Sequence, residues 1–204
     1  MDLPIYKVIF DEENINIFGM SLVDVPANQT EWITMSKDEP VKMSYNEEKH
    51  LVSGVVLRPG QLIYRNPTKS IQTPFYMSFE ASDIEKFAFD FLIQNNQNNL
   101  TLNHEKDFNG AKLVESYLTK NEDNAIGVEK GSWILTYKVF DMKLWEEIKE
   151  GKFNGFSLEG YLSLVEDTQI TPNELKDETD DNVSEEEKDL SDEEFIEEIK
   201  KLFK

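Results

Sequence analysis

No cysteine occurs among the 204 residues. That removes disulfides, thiolate metal sites and a cysteine nucleophile together. Histidine is nearly absent too, with only His50 and His104, too few for a His-rich metal centre. Basic residues are scarce: 21 Lys and Arg stand against 41 Asp and Glu, a formal net charge of −20 and a pI near 4.4. Nucleic-acid recognition is built on Lys and Arg neutralising phosphates, so this balance excludes a phosphate-backbone binder. It equally excludes docking on anionic lipid by charge. No apolar run comes near the ~20 residues needed to span a bilayer, and no charged-then-apolar leader opens the sequence. A soluble, cytoplasmic protein is therefore expected. What is present is a hydrophobic content of 39% with 11% aromatics, enough for one core. The length fits one domain of ~100–200 residues plus an appendage.

The acidity is uneven. From Asn173 to Lys204 there are 14 acidic and 5 basic residues, a net of −9 over 32 positions. Residues 173–189 (NELKDETDDNVSEEEKD) hold no aromatic and almost no apolar side chain. They cannot bury enough surface to offset their ordering entropy and read as a disordered acidic linker. Residues 190–204 read differently. Ser191 with Glu194 forms a capping box, Leu190 can staple onto Phe195, and Phe195, Ile196, Ile199, Leu202 and Phe203 fall on one helical stripe. Acidic residues crowd the start of this segment and Lys200, Lys201 and Lys204 its end, as the helix dipole favours. Too short to be stable alone, this amphipathic helix needs a surface to dock on, either a partner's or that of its own domain. The expected division is a folded domain over 1–172, the linker over 173–189 and the docking helix over 190–204.

The first 172 residues read mostly as strands. Ile5 to Phe10 and Ile15 to Val25 look like a pair around the turn-prone DEEN, and Glu31 to Met35 adds a short strand. Ser36 to Lys49 reads as a polar loop. Leu51 to Leu57, closed by Pro59-Gly60, is a strand, as are Pro74 to Phe79, Leu100 to His104, Ala111 to Leu118, Ser132 to Phe140 and Gly155 to Val165. Two helices interrupt them. Ser82 and Glu85 form the capping box of the first, with Ile84, Phe87, Ala88, Phe91 and Leu92 facing inward. Asp141 caps the second, which presents Leu144, Trp145 and Ile148 and ends at Gly151. Strand-rich and without regular βαβ alternation, the pattern predicts an α+β fold around a mainly antiparallel β-barrel with two or three flanking helices.

Two segments could carry chemistry. In LTLNHEKDFNGAKLVESYL, His104 ends an apolar strand; in GKFNGFSLEGYLSLV, Ser157 sits early in the strand after the second helix. An imidazole can serve as general base near neutral pH, and a serine hydroxyl is nucleophilic when such a base takes its proton. GFSLEG is not a Gly-x-Ser-x-Gly nucleophile elbow: its second glycine comes one place late and no helix follows, which excludes an α/β-hydrolase. The alternative readings are a hydrogen-bonded surface histidine and a structural strand serine. His50, after Glu47, Glu48 and Lys49, reads as a solvated loop residue.

Ordered text along the chain resembles the prohead (capsid-maturation) serine proteases of tailed phages, in the branch found in phages and prophages of Gram-positive bacteria. The matching segments are FGMSLVDVPANQTEW (18–32), VSGVVLRPGQLIYR (52–65), LNHE (102–105), LVESYL (113–118) and the block from Gly131 to Gly160. The acidic tail lies outside them. The resemblance implies an assemblin-like fold, a β-barrel surrounded by helices, with a catalytic histidine followed by a serine. By position in the motifs these are His104 and Ser157. Assemblins use a second histidine, but none follows Ser157 here. A carboxylate can orient the imidazole instead. Glu115, on the strand after His104, is the first choice, and Glu159, on the face of Ser157 by alternation, the second. Asp24, Glu166 and a Ser–His dyad remain open.

The resemblance further implies a serine endopeptidase inside the assembling procapsid in the host cytoplasm. Its partners and substrates would be the phage scaffold, a segment of the major capsid protein and its own tail, with possible self-association. No metal or organic cofactor, nucleic acid or membrane is implied. The competing reading is a catalytically inactive protease-like scaffold or capsid-assembly chaperone. An acidic nucleic-acid mimic fits poorly with so strand-rich a body.

Overall fold

The computed structural model describes residues 3–10, 13, 16–25, 43–121 and 128–167. The expected strand at Glu31 to Met35, the linker over 173–189 and the helix over 190–204 lie outside the described residues, as do residues 36–42 of the loop read over Ser36 to Lys49. Among the described residues the strands are β1 (Ile5–Ile9), β2 (Asn16–Val23), β3 (Ser44–Asn46), β4 (Leu51–Leu57), β5 (Ile63–Arg65), β6 (Phe75–Phe79), β7 (Leu100–Leu102), β8 (Lys106–Asp107), β9 (Ala111–Leu118), β10 (Trp133–Val139), β11 (Gly155–Tyr161) and β12 (Ser163–Glu166). Helices α1 (Ala81–Ile93) and α2 (Met142–Lys149) complete an α+β fold.

The predicted closed barrel is not seen among these residues. Backbone ladders join the strands into three four-stranded sheets, in the orders β12-β1-β6-β5, β3-β4-β10-β9 and β11-β2-β7-β8. Two differences from the sequence reading explain this. First, β1 and β2 do not form a hairpin. β1 runs parallel to β6 and β2 parallel to β7, which sends the two strands into separate sheets. Second, the segment read as one strand from Gly155 to Val165 is broken at Leu162. β11 pairs antiparallel with β2, and β12 pairs antiparallel with β1. β11 is thus an edge strand. It also packs against β4, where Phe156 lies over Gly54 so closely that a Cβ there would lie 2.9 Å from Phe156 Cδ2. Two short strands, β3 within the expected loop and β5 after the Pro59-Gly60 turn, have too few residues to show a period.

Amphipathic spacing builds α1 against these sheets. Ile84, Phe87, Ala88 and Phe91 are buried, whereas Leu92 sits at the edge of the stripe and is 39% exposed. The expected Ser82–Glu85 capping box does not form. The helix starts two residues earlier, after an extended Glu80 with no side-chain cap, which places Ser82 inside the first turn. The Asp141 cap does form: Leu144 N donates to Asp141 Oδ1 at 2.8 Å. Gly151, at φ +75°, then supplies the left-handed residue that ends α2. The core joins Trp133, Leu135 and Tyr137 of β10 to Phe87, Phe91, Phe79 and Phe156, each large side chain contributing about 1.5–3 kcal/mol on burial.

Arg58, only 6% exposed, reaches across to Glu129, with Nε donating to Oε2 at 2.8 Å and a second contact from the guanidinium to Oε1. Partial burial pushes the Glu129 carboxyl upward, but hydrogen bonding and charge from Arg58 outweigh it and hold the group below its ordinary value of 4.5. A depressed carboxyl adds stability above its unfolded value and loses it as pH falls through the folded one. Denaturant melts of wild type and Glu129→Gln should therefore differ at pH 7, with the variant weaker, and the difference should shrink as pH falls through the folded-state value. Equal melts at pH 7 would contradict the pairing.

Candidate active site

His104 occupies the tip of the β7–β8 hairpin, not the end of a strand. Asn103 (φ 50°) and His104 (φ 59°) are both left-handed, and Glu105 N donates to Leu102 O at 3.1 Å. Both central residues of the Leu102–Glu105 turn thus have positive φ, within a three-residue connection between the paired Leu102 and Lys106. Positive φ is uncommon away from glycine, although Asn and His are among the residues that enter it most often. The surroundings hold His104 there. His104 N donates to Ser21 Oγ at 2.9 Å, Asn103 N to Leu22 O at 2.9 Å, and Asp24 N to Asn103 Oδ1 at 3.1 Å. Backbone strain kept in place by converging hydrogen bonds is characteristic of functional positions.

β2 is the strand to which the turn is tied, and it also carries β11 on its other side. Ser157 stands opposite Ser21 in the antiparallel register, and Thr101 of β7 stands opposite Ser21 in the parallel one. Directly opposed residues share a face and sit about 5 Å apart. Ser157, Ser21 and Thr101 therefore form one row across three strands. Glu159 follows Ser157 by two residues and returns to the same face, opposite Gly19.

The Glu159 carboxylate is what binds this face together. Its Oε1 lies 3.0 Å from His104 Nδ1 and also accepts the Thr101 hydroxyl. Its side chain is 13% exposed and that of His104 45%. Gly19 makes the room: a Cβ there would meet Glu159 Oε2 at 2.9 Å and Asn99 O at 3.1 Å. An acceptor at Nδ1 fixes the neutral imidazole as the Nδ1–H form, leaving Nε2 with its lone pair free.

Glu115, first choice as the imidazole's carboxylate, does not take that position. It stands exposed on β9, opposite Thr136, in a different sheet. Asp24 accepts from the Val25 backbone N–H at 2.8 Å, and Glu166 ends β12 opposite Tyr6. The carboxylate on the ring is Glu159, the second choice. His50 stacks on Trp145, with ring centroids 4.9 Å apart. Reading residue by residue missed Ser21, Thr101 and Gly19. The signal was the alternation in FGMSLV, where Gly19 and Ser21 interleave with the buried Met20 and Leu22. Among the described residues no group of three or more His, Asp or Glu could hold a metal ion.

An α+β domain with a strand serine and a carboxylate-bound imidazole on one sheet face has the parts of a serine hydrolase. Residues 40–166 match the family described as "Putative phage serine protease XkdF", and the chain belongs to that family of phage proteases. It is 30% identical over 169 residues to the "Phage-like element PBSX protein XkdF" of Bacillus subtilis (strain 168), covering 77% of this chain and 56% of the relative. It is 31% identical over 165 residues to the "Uncharacterized protein YqbD" of the same organism, covering 75% and 47%. The chain thus spans about half the length of these curated relatives. No solved structure gives a significant match.

Nitrogen-15 spectra of the neutral imidazole report which ring nitrogen carries the proton. His104 should be held as the Nδ1–H form in the wild type and lose that bias in Glu159→Ala. Gly19→Ala, which displaces the carboxylate without removing it, should fall between. An unchanged tautomer in Glu159→Ala would contradict the assigned contact.

Proposed function

We propose that this chain is a serine endopeptidase of phage capsid maturation, with Ser157 as nucleophile, His104 as general base and Glu159 as the carboxylate that orients the imidazole. The observation that carries the reading is the His104 Nδ1–Glu159 contact of 3.0 Å on the sheet face that also bears Ser157. With Nδ1 engaged, Nε2 is the nitrogen that takes the Ser157 proton as Oγ attacks the scissile carbonyl. The tetrahedral oxyanion collapses to an acyl-enzyme as His104 returns the proton to the leaving amine. Water, deprotonated by the same imidazole, then hydrolyses the ester and frees Ser157. Glu159 keeps its charge throughout and stabilises the imidazolium. The mechanism follows the assemblin order, histidine before serine, with a carboxylate replacing the second histidine.

Family membership supports proteolysis of phage proteins. The substrates in this reading are the internal scaffold, a capsid-protein segment and the chain's own acidic residues 173–189, cut within the procapsid.

A serine-reactive fluorophosphonate should label the wild type and fail on Ser157→Ala and His104→Ala. Glu159→Gln should slow labelling by about 10²–10⁴-fold, the scale expected when the orienting carboxylate of a triad is neutralised. Glu115→Gln should label at the wild-type rate. A slow Glu115→Gln with a normal Glu159→Gln would move the third role back to Glu115. No Ser157 labelling in either the isolated chain or the assembled prohead would leave an inactive protease-like domain acting in capsid assembly.

A further inference from the structure

Glu159 stands on β11, yet the two groups its carboxylate meets, Thr101 and His104, lie on the far side of β2. Thr101 faces Ser21, which in turn faces Ser157, so Thr101 is two strands from β11. At ordinary strand spacing that span is about 10 Å. The Glu159 side chain covers it diagonally over Gly19, where no Cβ obstructs the path. Such a reach fixes several rotatable bonds, which ordering entropy opposes. The His104 ring is 45% exposed, and alone it would hold the carboxylate at a single point. The carboxylate could then turn about its last bond or swing toward solvent.

The Thr101 hydroxyl supplies a second point. An ionised carboxylate only accepts, so the hydroxyl donates, and its proton is committed to Glu159 Oε1. The same oxygen lies 3.0 Å from His104 Nδ1. Both contacts therefore select Oε1 and leave Oε2 over Gly19. Ser21, nearer β11 in the same row, is already engaged: its Oγ accepts the His104 N–H and donates to Leu22 O. Thr101 also makes a firm anchor. Its β-branched side chain is stiff at χ1, and its strand is locked to β2 at Leu100, Thr101 and Leu102. Valine has nearly the same shape and suits a strand as well, so the sheet itself does not require a hydroxyl here.

We propose that Thr101 is a positioning residue of the hydrolytic site. It fixes the Glu159 carboxylate so that Oε1 stays on His104 Nδ1 while the imidazole gains and loses its other proton at Nε2. Thr101 keeps its own proton throughout and acts only through Glu159. Its effect on rate rests on the protease reading, whereas its effect on the imidazole does not.

Substitutions that separate donor from shape test this on the full chain, read by fluorophosphonate labelling of Ser157 and by nitrogen-15 spectra of His104. Thr101→Val keeps the shape and removes the donor. It should slow labelling by about 10-fold or more, the scale of one hydrogen bond to a charged group, and weaken the Nδ1–H bias of the ring. Thr101→Ser keeps the donor and should return both readouts toward the wild type, a rescue that a purely steric role would not give. Thr101→Ala, a second variant without the donor, should follow Thr101→Val, with thermal melting confirming that each variant is folded. In a Glu159→Ala background, Thr101→Val should cost no further rate, since residues that act as one unit are not additive. A further loss there would overturn the proposal, as would an unchanged tautomer and a wild-type labelling rate in Thr101→Val; either leaves the protease reading intact. An unlabelled wild type whose tautomer still responds to Thr101→Val would overturn the protease reading and support Thr101 as the anchor of the carboxylate.

Discussion

A single carboxylate, Glu159, holds together three strands' worth of chemistry. It accepts from the Thr101 hydroxyl on β7, meets the His104 imidazole at the β7–β8 turn and extends over Gly19 of β2 from its own place on β11. The contact crosses 55 positions of sequence, so it exists only if β2 has paired correctly on both sides. The parallel β2–β7 ladder brings the hairpin alongside, and the antiparallel β2–β11 ladder brings Ser157 and Glu159. A one-residue slip in either register would turn its side chains to the opposite face and separate the imidazole from the carboxylate.

The hairpin tip shows how local strain and long-range order cooperate. Left-handed backbone at a histidine is unfavourable by itself, yet the buried Ser21 hydroxyl accepts the His104 N–H and the β2 backbone accepts that of Asn103. The strain is thereby tied to the strand that carries the serine's neighbour. A flexible loop would let the imidazole wander, whereas a three-residue connection fixed at three points restrains it. Half of its side chain remains open to solvent, as the proposed role of general base toward a polypeptide requires.

Much of this was legible in the residues, and the remainder was hidden for identifiable reasons. β4 and α2 could be read to the residue, or within one, because period, cap and terminating glycine agree there: LVSGVVL before Pro59-Gly60, and Asp141 to Gly151. The inner face of α1 was legible from spacing, but its start was not, since Ser82 offers a cap that the chain does not use. The partners of β1 and β2 were misread because alternation identifies a strand without identifying its neighbour. For the same reason the break at Leu162 was hidden, and a barrel was expected where three sheets form. His104 and Ser157 stood out as candidate chemistry. The choice between Glu115 and Glu159 could not be made locally: Glu115 is nearer His104 in sequence, but only the pairing of β7, β2 and β11 decides which carboxylate reaches the ring.

The acidity that dominates the composition has little part in this site, which uses one carboxylate, one imidazole and three hydroxyls. Its most direct test is a crystal structure of the protein after reaction with a fluorophosphonate. Phosphorus bonded to Ser157 Oγ, with His104 Nε2 within hydrogen-bond reach of the adduct and Glu159 still on Nδ1, is the expected result. An adduct on another residue, or an imidazole turned away from Ser157 and bound elsewhere, would contradict the proposed site.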